Sequence, residues 1–298
     1  MKIKCLIVLL MLFNTVVAQE WMSSFAIAQK LALTQNKMLF VMWEGSIEYP
    51  LPVIVIDENG NKILVEDLFE SEGLNTIIWE NFVPVLLNET EYDDWYEEIK
   101  SKRSYLYKEK FDDDSIKIMD ANGNMLSTAY ISYDPLNFTA FVKRYSLDTS
   151  FLEQEIRNYQ RNVDFYSAFY LGSKYVDYAI YTSDELRLEI IKLSQIYLEE
   201  AEAFLELQNY ENENVLKERL ELVKVYQELI LNKPRKVIRK LKKLSKEEIS
   251  DTNKSLVAFL YYTAYKIERD QKNVALWKTE VSLVNLKQAH IFINSLKK

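Results

Sequence analysis

The chain has 298 residues, with 37 Lys or Arg against 45 Asp or Glu and a single His, for a formal net charge of −8. That acidic balance excludes a nucleic-acid surface, whose affinity comes mainly from neutralising phosphates. An apolar content of 48% with only 5 Gly and 5 Pro excludes a disordered or loop-dominated chain, and one cysteine, Cys5, excludes any internal disulfide.

At the N-terminus, Lys2 and Lys4 lead into an apolar stretch that ends at Val16-Val17-Ala18, small residues placed before Gln19. The pattern predicts a signal peptide over 1–18, cleaved between Ala18 and Gln19. Its apolar core is shorter than the about 20 residues a bilayer span needs. Loss of Lys2 and Lys4 leaves 35 basic residues against 45 acidic, a net of −10, and removes the only thiol.

Ser23 or Ser24 can cap a helix with Phe25, Ala28, Leu31 and Ala32 on one face. Met38 to Trp43 is a continuous apolar run of strand length, the pattern of a strand buried on both faces. Val53 to Ile56 and Ile63 to Val65 flank Asp57-Glu58-Asn59-Gly60-Asn61, a hairpin signal of the type I′ or bulged kind. One helix is expected over Glu66 to Trp79, a strand over Phe82 to Leu87 that Pro84 weakens or places near an edge, and one helix over Tyr92 to Lys108. Ser115 to Met119, the turn Asp120-Ala121-Asn122-Gly123-Asn124 and Met125 to Ile131 form a second hairpin, closed by a helix over Asn137 to Arg144. Both turns offer Asp-X-Asn-X-Asn oxygens, but Gly stands fourth and Leu68 and Ile131 stand twelfth, so the pattern is turn chemistry and not a calcium loop.

Near residue 146 the periodicity changes to helical spacing throughout. Six or so helices are expected. Leu152, Ile156, Tyr159, Val163, Tyr166 and Tyr170 form one stripe, Leu186 to Leu205 a second and Leu216 to Ile230 a third. Leu256 to Ile267 is apolar nearly all round, and Trp277, Val281, Val284, Ala289, Phe292 and Leu296 make the last stripe. Antiparallel helical hairpins, a bundle or short solenoid, are the expected architecture. Leu171-Gly172 with Tyr175 and Ala179 is a weak match to a tetratricopeptide helix pair, without a 34-residue recurrence.

With Trp21, Ser24, Phe25, Ala28, Leu31, Ala32, Asn36-Lys37, the strand ending at Trp43, Asn81-Phe82-Val83-Pro84-Val85, the hairpin Ile116 to Asn124, Phe138 and Phe141, residues 21 to 145 resemble an exported bacterial thioredoxin-like family. The resemblance implies an α/β thioredoxin-like domain over 19–145, with the hairpin 53–65 inserted, followed by an all-α domain over 146–298. It also implies that Phe82 to Leu87 is a second central strand. In that family the strand through the Trp enters a Cys-X-X-Cys at a helix N-terminus, where the dipole lowers the thiol pKa. Here Trp43 runs into Glu44-Gly45-Ser46-Ile47-Glu48-Tyr49, and Asp114-Ser115 occupies the place of the family's cis-proline. Disulfide exchange is therefore not expected of the mature chain.

The expected role is a non-enzymatic binding or scaffold protein of the cell envelope, periplasmic or secreted, that uses no cofactor or metal. Its partner would be another envelope protein or peptide, met at the former redox site around Trp43, Ser46, Tyr49 and Ser115. A carboxylate-based hydrolase or carbohydrate-acting enzyme with a site between the domains is the alternative, although no spacing singles out two acids. Asp112-Asp113-Asp114 reads as a solvated loop. Lys233 to Lys246 carries eight basic residues opposite Val237, Ile238, Leu241 and Leu244; inward packing with pairing to the acidic stretch Glu199 to Glu228 is favoured over membrane-surface contact. His290, beside Ile291 and Phe292, reads as structural. The oligomeric state is not encoded in any motif.

Overall fold

The computed structural model describes residues 20–129, 134–244 and 249–296. The expected signal over 1–18 with its Ala18 and Gln19 cleavage site, Ile131 and Lys246 lie outside the described residues. The chain divides into two compact units: the described residues up to Met119 with Thr128–Leu147, and Asp120–Ser127 with the described residues from Asp148. The first holds small mixed sheets and the second is helical.

In the first unit, helix α1 (Phe25–Gln35) buries Phe25, Ala28, Ala32 and Leu33 and stops at Asn36, whose left-handed φ of 54° returns its N–H to Ala32. Strand β1 (Met38–Trp43) follows, buried at all six positions. A 3₁₀ turn (Glu44–Glu48) leaves its end, and then come β2 (Val53–Ile56), β3 (Lys62–Val65), helix α2 (Glu72–Asn81) and β4 (Phe82–Leu87). β4 lies parallel to β1, Met38 opposite Phe82 and Trp43 opposite Leu87. Helices α3 (Glu89–Lys100) and α4 (Tyr105–Asp112) lead to β5 (Ile116–Met119), antiparallel to β1, and β6 (Met125–Ala129). The sheet order is β4-β1-β5-β6. β4 is thus an edge strand and not a central one. Among the described residues only Met22 bridges its outer side, through Met22 N to Pro84 O and Leu86 N to Met22 O. Pro84, which has no N–H to donate, fits that position.

Two expected helices are shorter than the apolar pattern suggests. Residues 66–71 are turn, because Asp67 accepts from the Leu51 and Phe69 amides and Ser71 caps α2 by accepting from Leu74. The helix expected over Tyr92 to Lys108 is two, since Asn88 caps α3 and Ser104 caps α4. Short polar side chains that bind local amides compete with a continuing helix.

The hairpin 53–65 belongs to a second sheet, ordered β3-β2-β7, in which the two-residue β7 (Leu136–Asn137) runs parallel to β2. Asn137 then caps α5 (Phe138–Tyr145). Both Asn-Gly turns are of the bulged form: Gly60 (φ 83°) and Gly123 (φ 81°) take positive φ, whereas Asn59 and Asn122 do not. In each, the Asp carboxylate accepts the two amides that follow, Asn59 and Asn61 for Asp57, Asn122 and Asn124 for Asp120.

The second unit has eight helices among its described residues: α6 (Glu153–Arg161), α7 (Phe165–Ala179), α8 (Asp184–Leu207), α9 (Glu213–Ile230), α10 (Pro234–Leu244), α11 (Asp251–Ile267), α12 (Gln271–Lys278) and α13 (Leu283–Ser295). Two expected stripes are each split. Asp164 and Ser167 form a capping box that starts α7, leaving Val163, Tyr166 and Tyr170 exposed while Phe165, Phe169 and Tyr175 turn inward. Ser282 caps α13, leaving Val284 exposed. α7 and α8 meet at Gly172, where an added Cβ would stand 2.9 Å from Leu198 and 3.1 Å from Ser194 O. Ser194 Oγ donates to Gly172 O at 2.6 Å.

The turn at 120–124 and the first residues of β6, Met125–Ser127, belong to this helical unit. Asp120 Oδ2 accepts from Tyr175 OH at 3.0 Å and from Tyr197 OH, and the two rings stack 5.6 Å apart. All three side chains are buried, and desolvation pushes the Asp120 carboxyl up to about 6 despite four donors.

Two outcomes follow from this packing. Gly172→Ala should lower stability by about 1–3 kcal/mol, read as a lower urea midpoint, because its methyl overlaps Leu198. For Asp120, whose folded pKa lies above the unfolded value, the stability held below about pH 4 is lost as pH rises through about 6. Urea unfolding of Asp120→Asn, which keeps the acceptor for the turn amides, should therefore gain on the parent between pH 4 and pH 7 by about 2–3 kcal/mol. A pH-independent difference would contradict the assignment.

Candidate functional site

A cavity of about 620 Å³ opens at the carboxyl ends of β1 and β4. Its position follows from the parallel pair: both strands end together, at Trp43 and Leu87, and the chain leaves one as a 3₁₀ turn and the other as helix α3. The 3₁₀ turn contributes Glu44, Gly45, Ile47 and Glu48, and the start of α3 contributes Asn88, Glu89 and Tyr92. Asp112, at the end of α4, closes the lining.

Trp43 is the apolar wall. Its ring meets Tyr92 edge-on at 4.4 Å and Phe111 at 4.9 Å, and its Nε1 donates to Asp113 O at 2.9 Å. Tyr92 OH donates to the Asp112 carboxylate; burial and that bond hold the phenol above its ordinary pKa. Behind Trp43 lies Lys117 on β5, fully buried, with Nζ 4.8 Å from the indole centroid. It donates to Asp113 O and to Ser115 O (2.9 Å), and pairs with Asp113 Oδ1 at 3.3 Å. Desolvation pushes this ammonium down to about 8, only partly offset by Asp113.

Of the four residues the sequence points to, only Trp43 lines the cavity. Ser46 neighbours it on the 3₁₀ turn and donates to Asp114 Oδ1 at 2.9 Å. Tyr49 is 74% exposed and outside the lining. Ser115 is buried, and its amide and hydroxyl both donate to Asp113 Oδ1. Sequence reasoning missed Lys117, Glu89 and the individual tasks of the three aspartates. Asp112 takes Tyr92, Asp113 takes Ser115 and Lys117, and Asp114 takes Ser46. The signal available was a lysine inside an otherwise apolar strand, a few residues after three acids.

The wall therefore presents Glu44, Glu48, Glu89 and Asp112 around aromatic rings, an arrangement suited to a positively charged group. Among the described residues no cluster of three His, Cys, Asp or Glu is placed to hold a metal ion. The only histidine, His290, is on the exposed face of α13 with Nε2 2.8 Å from Asn294 Nδ2. The carboxyls that desolvation pushes upward, buried Asp120 and half-buried Asp177, are each held by tyrosine hydroxyls, and Asp177 also by Gln288.

The basic segment packs Val237 and Leu241 inward from α10. Lys233, Lys236 and Lys240 converge on Glu228, and Arg235 reaches Glu268 at 2.8 Å. Among the described residues no helix is long and apolar enough to cross a membrane.

Comparison of the chain with protein-family models, curated proteins and solved structures finds no match.

The ammonium of Lys117 makes a signed prediction. Unfolded lysine titrates near 10.4, so between about pH 8 and 10 the unfolded chain binds more protons than the folded one and stability rises with pH. Lys117→Met fills the volume without a titrating group. Its stability relative to the parent should fall by about 2 kcal/mol from pH 8 to pH 10 in paired urea titrations. A constant difference across that range would refute a buried, depressed lysine.

Proposed function

We propose that this chain is an exported, non-enzymatic binding or scaffold protein of the bacterial cell envelope, built on a thioredoxin-like unit without redox chemistry and a helical unit. The parallel pair β1 and β4, the hairpin β5–β6 and the closing helix α5 come in the chain order the family resemblance requires, which supports that reading of the first unit. The observation that carries the function is the cavity at the end of β1. It stands where the family's thiols would begin, yet it holds an aromatic wall, a carboxylate rim and no sulfur.

Without sulfur such a wall cannot carry thiol chemistry, and its rings and carboxylates suit a bound cation. A lysine or arginine side chain on an extended partner segment satisfies both of its resources, the rings through cation–π attraction and the rim through charge. Rim charges are solvent-screened, so they steer encounter and select sign more than they supply affinity.

Titration of the purified protein with a short Lys- and Arg-bearing peptide, followed by tryptophan fluorescence, tests the reading. Binding should weaken as salt rises, and the double reversal Glu44→Lys with Glu89→Lys should weaken it roughly tenfold, about 1.4 kcal/mol. Salt-independent binding, no binding, or disulfide reductase or isomerase activity of the purified chain would each overturn it.

A further inference from the structure

Strand β3 is the edge of the three-stranded sheet, and its outer side is unpaired among the described residues. It is also apolar on both faces: Ile63 is 48% exposed and Leu64, pointing the other way, is 59% exposed. A protected edge strand carries charge, proline or a bulge along its length; here only Lys62 at the start is charged.

The direction of the backbone groups can be fixed. Ile56 stands opposite Lys62, and its amide N–H points away from β3, donating to Thr139 Oγ1 at 2.8 Å. In an antiparallel ladder such a pair is the non-hydrogen-bonded kind, so Lys62 also turns its N–H and C=O away from β2. Two residues on, the pair Ile54 and Leu64 is of the same kind. Leu64 therefore offers one donor and one acceptor outward, with Lys62 doing the same one pleat earlier.

We propose that this edge pairs with the β3 edge of a second copy of the chain, antiparallel and centred on Leu64, to make one continuous six-stranded sheet. The register follows from what the strand presents. A two-fold axis at Leu64 makes Leu64 and its symmetry mate a hydrogen-bonded pair, which the outward N–H and C=O require. The same register sets Ile63 opposite the mate's Val65 and Lys62 opposite the mate's Glu66. Apolar side chains then meet apolar ones, and the only two charges meet with opposite sign, twice across the axis. Shifting the axis by one residue turns inward-facing backbone groups toward the partner and separates Lys62 from Glu66. An isologous contact of this kind closes at two copies.

Sedimentation equilibrium of the full exported chain reads the mass directly. Twice the chain mass is expected, falling to one chain mass with Leu64→Lys, which sets two ammonium groups at the axis. Lys62→Glu should raise the dissociation constant by tenfold or more, and Lys62→Glu with Glu66→Lys should restore it, because the swapped charges pair again only in this register. In the chain from Gln19 onward, which holds no cysteine of its own, Leu64→Cys should form an intermolecular disulfide under mild oxidation, whereas Leu207→Cys, exposed on α8, should not. A monomer at all concentrations, a dimer indifferent to Leu64→Lys, or a charge swap without rescue would each overturn the proposal. An unfolded Leu64→Lys chain, detected by circular dichroism, leaves the charge-swap pair and the cysteine pair to decide it.

Discussion

The ammonium of Lys117 is the interaction on which the first unit's shape depends. It lies fully buried in β5, where burying a charge costs several kcal/mol unless hydrogen-bonded acceptors surround it. The loop between α4 and β5 supplies those acceptors: Asp113 O, the Asp113 carboxylate and Ser115 O. Because Asp113 O also receives Trp43 Nε1, satisfying one buried cation fixes the last side chain of β1. Asp112 and Asp114, on either side, then reach Tyr92 and Ser46. The cavity wall is thus held from behind by a charge that no ligand in it would touch.

The two Asp-X-Asn-Gly-Asn turns show how one local sequence acquires two electrostatic fates. Each Asp accepts the same two amides, which is what the turn itself requires. Asp57 stays near solvent and also accepts from Asn61 Nδ2, so its carboxyl is held below the ordinary range. Asp120 is buried among Tyr175 and Tyr197, and desolvation outweighs four hydrogen bonds to push it upward. The local motif decides the turn, and the environment decides the charge. Without a disulfide to help it, the helical unit relies on such polar anchors as well as apolar packing; half-buried Asp177 with Tyr226 and Gln288 is a second example, and buried Ser194 with Gly172 and Gln227 a third.

Where one local signal dominates, the sequence is readable. Met38 to Trp43 is apolar throughout and is buried throughout, and both Asn-Gly hairpins stand where their turn residues put them. Periodicity misleads where a cap interrupts it. Apolar spacing continues across Ser104, Asp164 and Ser282, but each of those side chains accepts a backbone amide and starts a new helix. The cap signals are present in the sequence and weaker than the stripe that runs over them. The edge position of β4 and the second sheet are of another kind. Two residues, Leu136 and Asn137, join β2 across more than eighty positions, and no local pattern announces such a pairing. The site was legible only at Trp43, since the burial of Lys117 and the reach of Tyr92 to Asp112 depend on long-range neighbours.

The hairpin 53–65 gains a meaning from where it is not. None of the described residues lining the cavity belongs to it, so this hairpin does not plug the end of β1. It is drawn off into its own sheet by β7, and what it leaves exposed is an edge with apolar side chains on both faces. The two surfaces rest on different physics. On the proposed readings the cavity would select by charge and aromatic contact, whereas the edge would pair mainly by backbone hydrogen bonding and apolar contact, with only the exposed Lys62–Glu66 pairs screened by salt. Ionic strength therefore separates the two by degree: salt that empties the cavity should weaken a strand-paired edge less, because the edge's backbone and apolar contacts are not screened.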